Sequence, residues 1–173
     1  MTAIKKISIL FVPILLVVAA FTNTGCNIYK FNEATVPDSI KTVKVNFIEN
    51  RATYINPQLS PQLTDKLRQK IVSQTRLKQT NGDDADWEIN ATITDYSFST
   101  SGISNQQTST NRINVAVHIV LNRLKDGQMD EYDVSRNFDF PASQTLQQAE
   151  AGLLTEMIRG LTDDIFNRIF SNW

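Results

Sequence analysis

One cysteine and one histidine are all that the 173 residues contain of the two most reactive side-chain types. A single thiol cannot close an internal disulfide, so it is free, joined to another chain, or modified. Glycine (6) and proline (5) are sparse, and no Gly-rich phosphate-cradling loop occurs. No excess of either charge exists, with 17 basic against 18 acidic residues. That balance is not the basic profile of a nucleic-acid-binding domain, so no nucleic-acid partner is expected. Low-complexity tracts and internal repeats are also missing. No apolar run reaches the roughly 20 residues needed to span a bilayer as a helix.

The longest apolar run, Ile7 to Phe21, has 15 residues and contains Pro13. Lys5 and Lys6 precede it, and the small and polar residues Thr22 to Gly25 follow. A basic segment, a short apolar core and a small-residue zone make a secretory signal. The sole cysteine, Cys26, stands directly after it. Thr24-Gly25-Cys26 resembles positions −2, −1 and +1 of the bacterial lipoprotein lipobox, although Asn23 stands where Leu is commoner. The boundaries that follow are a signal peptide over residues 1–25, a lipidated tether over 26–40 and one domain over 41–173. Removing the signal leaves 148 residues, enough for a single core, with 15 basic and 18 acidic side chains. Each buried acyl methylene adds about 0.8 kcal/mol, so the two or three chains of such an anchor hold a protein at a membrane stably.

Val43, Val45 and Phe47 alternate with Thr42, Lys44 and Asn46, which predicts a half-buried strand. Ser60 as N-cap and Pro61 at the first helical position start a helix. Its apolar stripe (Leu63, Leu67, Ile71) runs to about Leu77. The acidic cluster Asp83, Asp84 and Asp86 reads as a solvated turn. A second strand runs from Trp87 to about Phe98, its apolar parity switching near Asp95 as at a bulge. The stretch Ser99 to Thr110, polar apart from Ile103, reads as a long mobile hairpin loop. Ile113 to Leu121 alternates without a break, Asp126-Gly127 marks a tight hairpin turn, and Tyr132 to Phe140 forms the fourth strand. A final helix, from about Ser143 to Phe170, opens with a Thr145–Gln148 capping box. Gly160 within it marks close packing on a neighbour or a tolerated weak spot. The fold class is α/β: a two-layer sandwich of a four-stranded mixed sheet with two helices on one face, in the order β-α-β-β-β-α.

Little chemistry is available. With Cys26 acylated and His118 alone, neither a zinc site nor a Cys-His or Ser-His pair can be assembled. Asp163 and Asp164 are adjacent on a helix and diverge by about 100°. No catalytic residue, metal or cofactor is expected. The polar sheet face (Lys44, Asn46, Glu88, Asn90, Thr92, Thr94, Asn114, His118) suits either plain solvent or a water-lined partner such as a barrel lumen. Long structureless loops tend to be functional or disordered. Ser101, Asn105, Gln106 and Gln107 are therefore candidate contacts, with Arg112 offering a planar fork to an anionic glycolipid. The alternative is an idle surface loop with a solvated Arg.

Several short segments carry a resemblance to one family. They are Cys26-Asn27-Ile28-Tyr29, Lys41 to Val45 followed by Phe47 and Asn50, Pro57 with Leu59-Ser60, Asp95-Tyr96, Asn111-Arg112-Ile113, Asp164 to Asn167 and the Asn172-Trp173 ending. With the lipobox and element order, they make the chain similar to LptE-family lipopolysaccharide-assembly lipoproteins of the Bacteroidota type. The resemblance implies an outer-membrane lipoprotein that plugs an LptD-type β-barrel translocon, helps fold it and contacts lipopolysaccharide in transit. An envelope lipoprotein that activates a cell-wall synthase would share the anchor and fold class. Cys26→Ala is expected to leave the precursor uncut or the product unlipidated. Mass spectrometry of the mature N-terminus checks this, and an unmodified Cys26 in the parent, or cleavage at another bond, would refute the lipoprotein assignment.

Overall fold

Ile113, Val115, Val117, Ile119 and Leu121 make one side of a strand wholly apolar, and all five are buried. They form the middle of β5 (Gln107–Arg123), which lies antiparallel between β4 (Trp87–Ser104) and β6 (Gln128–Pro141). The computed structural model describes residues 36–104 and 107–171. β1 (Thr42–Val45) pairs parallel with β4, as its helical connection requires. Two-residue strands complete the sheet: β2 (Glu49–Asn50) beside β4, and β3 (Lys78–Gln79) beside β1. The order is β3-β1-β4-β5-β6. Helices α1 (Leu59–Gln74) and α2 (Leu146–Phe170) cover the apolar side. The expected α/β sandwich is therefore present, with six strands rather than four. Two residues are too few for alternation to reveal a strand.

β4 keeps its apolar side chains under the helices by a single irregularity. Ile93 faces Val117 and Asp95 faces Ala116, so Thr94 is an extra residue. Before it Trp87, Ile89, Ala91 and Ile93 are buried; after it the buried residue is Tyr96. The expected bulge near Asp95 is the means of this switch.

Four local readings need correction, the first being Phe47, which lies beyond the end of β1 and is exposed rather than aligned with Val43 and Val45. Helix α1 begins at Leu59, with Gln58 at the N-cap and no side-chain cap. Ser60 is thus not the cap, because the Asn56 carboxamide oxygen already accepts from the Gln58 N–H (3.0 Å) two residues earlier. The helix also ends at Gln74, and buried Leu77 belongs to the segment leading into β3. Asp86 is no solvated turn residue. It is buried, accepts from the Lys41 and Thr42 backbone N–H groups (2.6 and 3.0 Å) and pairs with Lys125 (2.7 Å). The Lys125 ammonium and these N–H groups hold its carboxyl down at about 2. Finally, Ser99 to Thr110 is not a loop. Ser99 to Ser104 continue β4, and Gln107 onward belong to β5. The stretch has no polar–apolar alternation to read, yet Thr100, Thr108 and Thr110 favour extended backbone.

The last helix agrees closely with expectation. Thr145 accepts from the Gln148 N–H, and the Gln148 side chain accepts from the Thr145 N–H, a complete capping box. Ala149, Met157, Leu161 and Ile165 are buried, while Leu146, Leu153 and Ile169 pack at the margins. Asp163 and Asp164 do diverge: the first pairs with Lys70 of α1 (2.6 Å), the second with Arg136 of β6.

Gly160 resolves as close packing. A Cβ there would lie 2.8 Å from the Arg136 Cδ and Nη1. The missing side chain lets Arg136 lie across the helix and make two hydrogen bonds to Asp164 (2.7 and 2.6 Å). Alanine gains about 1 kcal/mol of helix propensity over glycine, but here it displaces that guanidinium. Gly160→Ala alone is therefore expected to lower the melting temperature. In an Arg136→Ala background the same change should raise it. Thermal melts of the four proteins of this cycle check the claim, and a shift of the same sign in both backgrounds would contradict it.

Candidate partner-binding surface

Above the line where β6 ends, β4 and β5 continue as a two-stranded ribbon. Thr110 is the last β5 residue opposite β6, facing Pro141, and beyond it Gly102 faces Thr110, Ile103 faces Thr108 and Ser104 faces Gln107. Register shifts between Thr100 and Gly102, and between Gly102 and Ile103, add twist to the ribbon. From Tyr96 to Asn111 the sequence contains no charged residue. An unguarded, uncharged edge is unusual on a solvated protein, because exposed strand edges are ordinarily blunted with charge or proline.

Two anchors hold the base of this ribbon. On the solvent side the Arg112 guanidinium donates to both Asp139 oxygens (2.6 and 3.0 Å) across the β5–β6 pair. Arg112, and more weakly Ser101, hold the Asp139 carboxyl below the usual carboxylate range. Asp139 in turn raises Arg112 above its ordinary value. The fork expected to be free for a ligand is already engaged. On the helix side Tyr96, Tyr54 and Phe98 form an aromatic cluster, with ring centroids 5.2 to 5.7 Å apart. The buried Glu150 carboxylate of α2 accepts from Tyr96 Oη (2.8 Å), Tyr54 Oη (3.0 Å) and Asn56 Nδ2 (3.2 Å). Burial, then the Glu150 charge, pushes both phenols above their ordinary range. The three donors tie the segment before α1 to the ribbon's root. Phe98 and Tyr54 remain substantially exposed there.

The sheet's polar face is internally satisfied. Asn46 donates to Glu88 (2.8 Å) and Asn90 (2.7 Å), and Asn114 donates to Ser97 and Ser99 (3.4 and 3.3 Å). His118 Nδ1 lies 2.9 Å from Asp133. No group of three or more His, Cys, Asp or Glu residues placed to hold a metal occurs among the described residues.

Of the residues singled out from sequence, Ser101 is exposed and is the extra residue between Thr100 and Gly102. Gln107 opens β5 opposite Ser104, and Arg112 sits at the ribbon's base. Cys26, Asn105 and Gln106 lie outside the described residues. Sequence reasoning missed Asp139 as the partner of Arg112, and it missed the Glu150 cluster. The first depends on a hairpin register that a two-residue turn at Asp126-Gly127 would not set; the second joins residues nearly a hundred positions apart and left no local signal.

Residues 40–169 match the LptE family, described as lipopolysaccharide-assembly. The chain belongs to the LptE family. Its members are envelope-associated, non-enzymatic components of lipopolysaccharide assembly. No curated protein matches the chain closely enough to count as a relative. Among solved structures, it is similar to a minor lipoprotein of Acinetobacter baumannii (15% identity, 76% of this chain and 93% of that one, TM-score 0.51). It is also similar to a hypothetical protein of Chlamydia trachomatis (8% identity, 77% and 99% coverage, TM-score 0.51). At such identities these likenesses concern the LptE fold alone. Among the described residues, no helix of this LptE-family chain is long and apolar enough to cross a membrane.

Proposed function

We propose that this LptE-family chain is an outer-membrane lipoprotein, anchored through Cys26, that seats its β4–β5 ribbon inside an LptD-type barrel as a plug. In that position it supports lipopolysaccharide assembly without catalysing a reaction. The observation behind this reading is the charge-free ribbon, which extends past the rest of the sheet with open edges. Burying a charge against a barrel wall costs several kcal/mol unless it is paired. Ser, Thr, Asn and Gln side chains exchange water for wall hydrogen bonds at far smaller cost. A barrel lumen is polar enough to supply those bonds. Ser101, Asn105, Gln106 and Gln107 are the proposed contacts with the barrel or the glycolipid. Arg112 reaches an anionic headgroup only by exchanging Asp139 for it.

Replacing residues 101–110 by Asn-Gly joins Thr100 to Asn111, a facing pair, through a favoured two-residue hairpin. The melting temperature is expected to stay near the parent's, while co-purification of the barrel from solubilised membranes fails. Asp139→Ala, which frees the guanidinium, should strengthen lipopolysaccharide binding in a salt-sensitive way, whereas Arg112→Glu should weaken it. Undiminished co-purification by the trimmed protein would contradict the plug reading. Equal glycolipid binding by both point variants would remove Arg112 from the contact.

A further inference from the structure

Strand β6 is an open edge along its whole length. It ends the sheet order, pairs with β5 alone and runs for 14 residues. The opposite border is closed by the two-residue β3. An open edge presents a row of unpaired N–H and C=O groups, ready to pair with another strand. Beside this edge lies a groove of about 930 Å³, bounded by β6 and the C-terminal half of α2. Its lining is mixed: Trp87, Tyr132, Val134, Ile169 and Phe170 supply apolar surface, beside Arg123, Arg136, Asp164 and Arg168, the last lying over the Tyr132 ring. Trp87 is 4% exposed, yet its indole N–H has no acceptor.

The two halves of β6 differ. Arg136 points under α2 and is held by Asp164. An inward-pointing charge on an edge strand is a guard against strand addition, and it protects the C-terminal half. The stretch before it has no such guard. There Tyr132 and Val134 face the groove, while Glu131 and Asp133 lie on the other side with 57% and 84% of their side chains exposed. Asp130 is paired with Arg123 and Asp139 with Arg112, which leaves Glu131 and Asp133, beside His118, as the acidic pair that this stretch turns outward. Like charges directly opposite one another are destabilising across a strand pair. A second copy of this chain is therefore a poor partner for β6, and a cationic strand a good one.

We propose that Asp130 to Ser135 of β6 receives an extended peptide strand from a partner protein, one in which basic and apolar residues alternate. Period-two geometry sends its apolar side chains into the groove over Tyr132 and Val134, and its Lys or Arg side chains toward Glu131 and Asp133. Main-chain hydrogen bonds supply the pairing, and the alternation sets which strands are accepted. This surface is separate from the ribbon, and the inference stands whether or not the ribbon enters a barrel.

The test uses the full lipidated chain in detergent and an acetylated Lys-Val-Lys-Val-Lys-Val-Lys peptide as probe. Calorimetry is expected to show saturable binding, and hydrogen exchange to show slowed amides confined to the Asp130–Ser135 stretch. The double variant Glu131→Lys, Asp133→Lys should lose at least about tenfold in affinity, since both side chains are exposed and their replacement leaves the core intact. Two further probes carry N-methyl groups on the odd or on the even backbone nitrogens, and one of the two should lose affinity by a similar factor. Absence of saturable binding would overturn the proposal. So would protection that appears on the ribbon instead, or equal binding by all three probes, which would mean charge adhesion without strand pairing.

Discussion

β4 and β5 must both keep their apolar side chains beneath the helices over their shared length, and the extra residue Thr94 is what lets β4 comply. A strand's faces alternate strictly, so a polar–apolar sequence that slips phase by one would otherwise turn Tyr96 to solvent. Because the bulge restores the phase, Tyr96 lies inside and its hydroxyl reaches Glu150. Through Glu150 the same strand is tied to α2 and, by Tyr54 and Asn56, to the segment that leads into α1. One inserted residue thus joins the sheet, both helices and the root of the ribbon into a single packing unit.

With the apolar side sealed, the outward properties divide by place. The centre of the polar face spends its Asn, Ser and His side chains on one another. The ribbon has no charge along it. The β6 edge is acidic on one side and opens on the other onto a groove of mixed apolar and polar lining. A non-enzymatic assembly component needs surfaces of this sort more than it needs a cleft, and the scarcity of catalytic groups in the sequence fits that role.

The parts of this architecture that bury a face were legible from sequence. Unbroken alternation over Ile113 to Leu121, the stripe of Leu63, Leu67 and Ile71, and the phase switch at Asp95 each record a strand or helix pressed against a core. The ribbon was misread as a loop because its sequence has no polar–apolar alternation, so composition spoke where periodicity was silent. The Arg112–Asp139 pair was missed for a different reason. A two-residue turn at Asp126-Gly127 would set Lys125 against Gln128 and Arg112 against Pro141. The actual connection has four residues, Leu124 to Gly127, with Gly127 at φ +63°, and it moves the register by two so that Arg112 meets Asp139. Parity survives such a slip, and cross-strand partners do not. Asp86 was misplaced because its ligands are backbone N–H groups more than forty residues away, which no local pattern encodes.

Photo-crosslinking in living cells tests the central claim most directly, with the crosslinking residue placed at Ser101 or Gln107 on the ribbon and, for comparison, at Thr92 on the sheet's polar face. The account predicts adducts between the ribbon positions and an outer-membrane barrel protein, with little from Thr92. Barrel adducts from Thr92 but not from the ribbon, or ribbon adducts that contain no barrel, would contradict it.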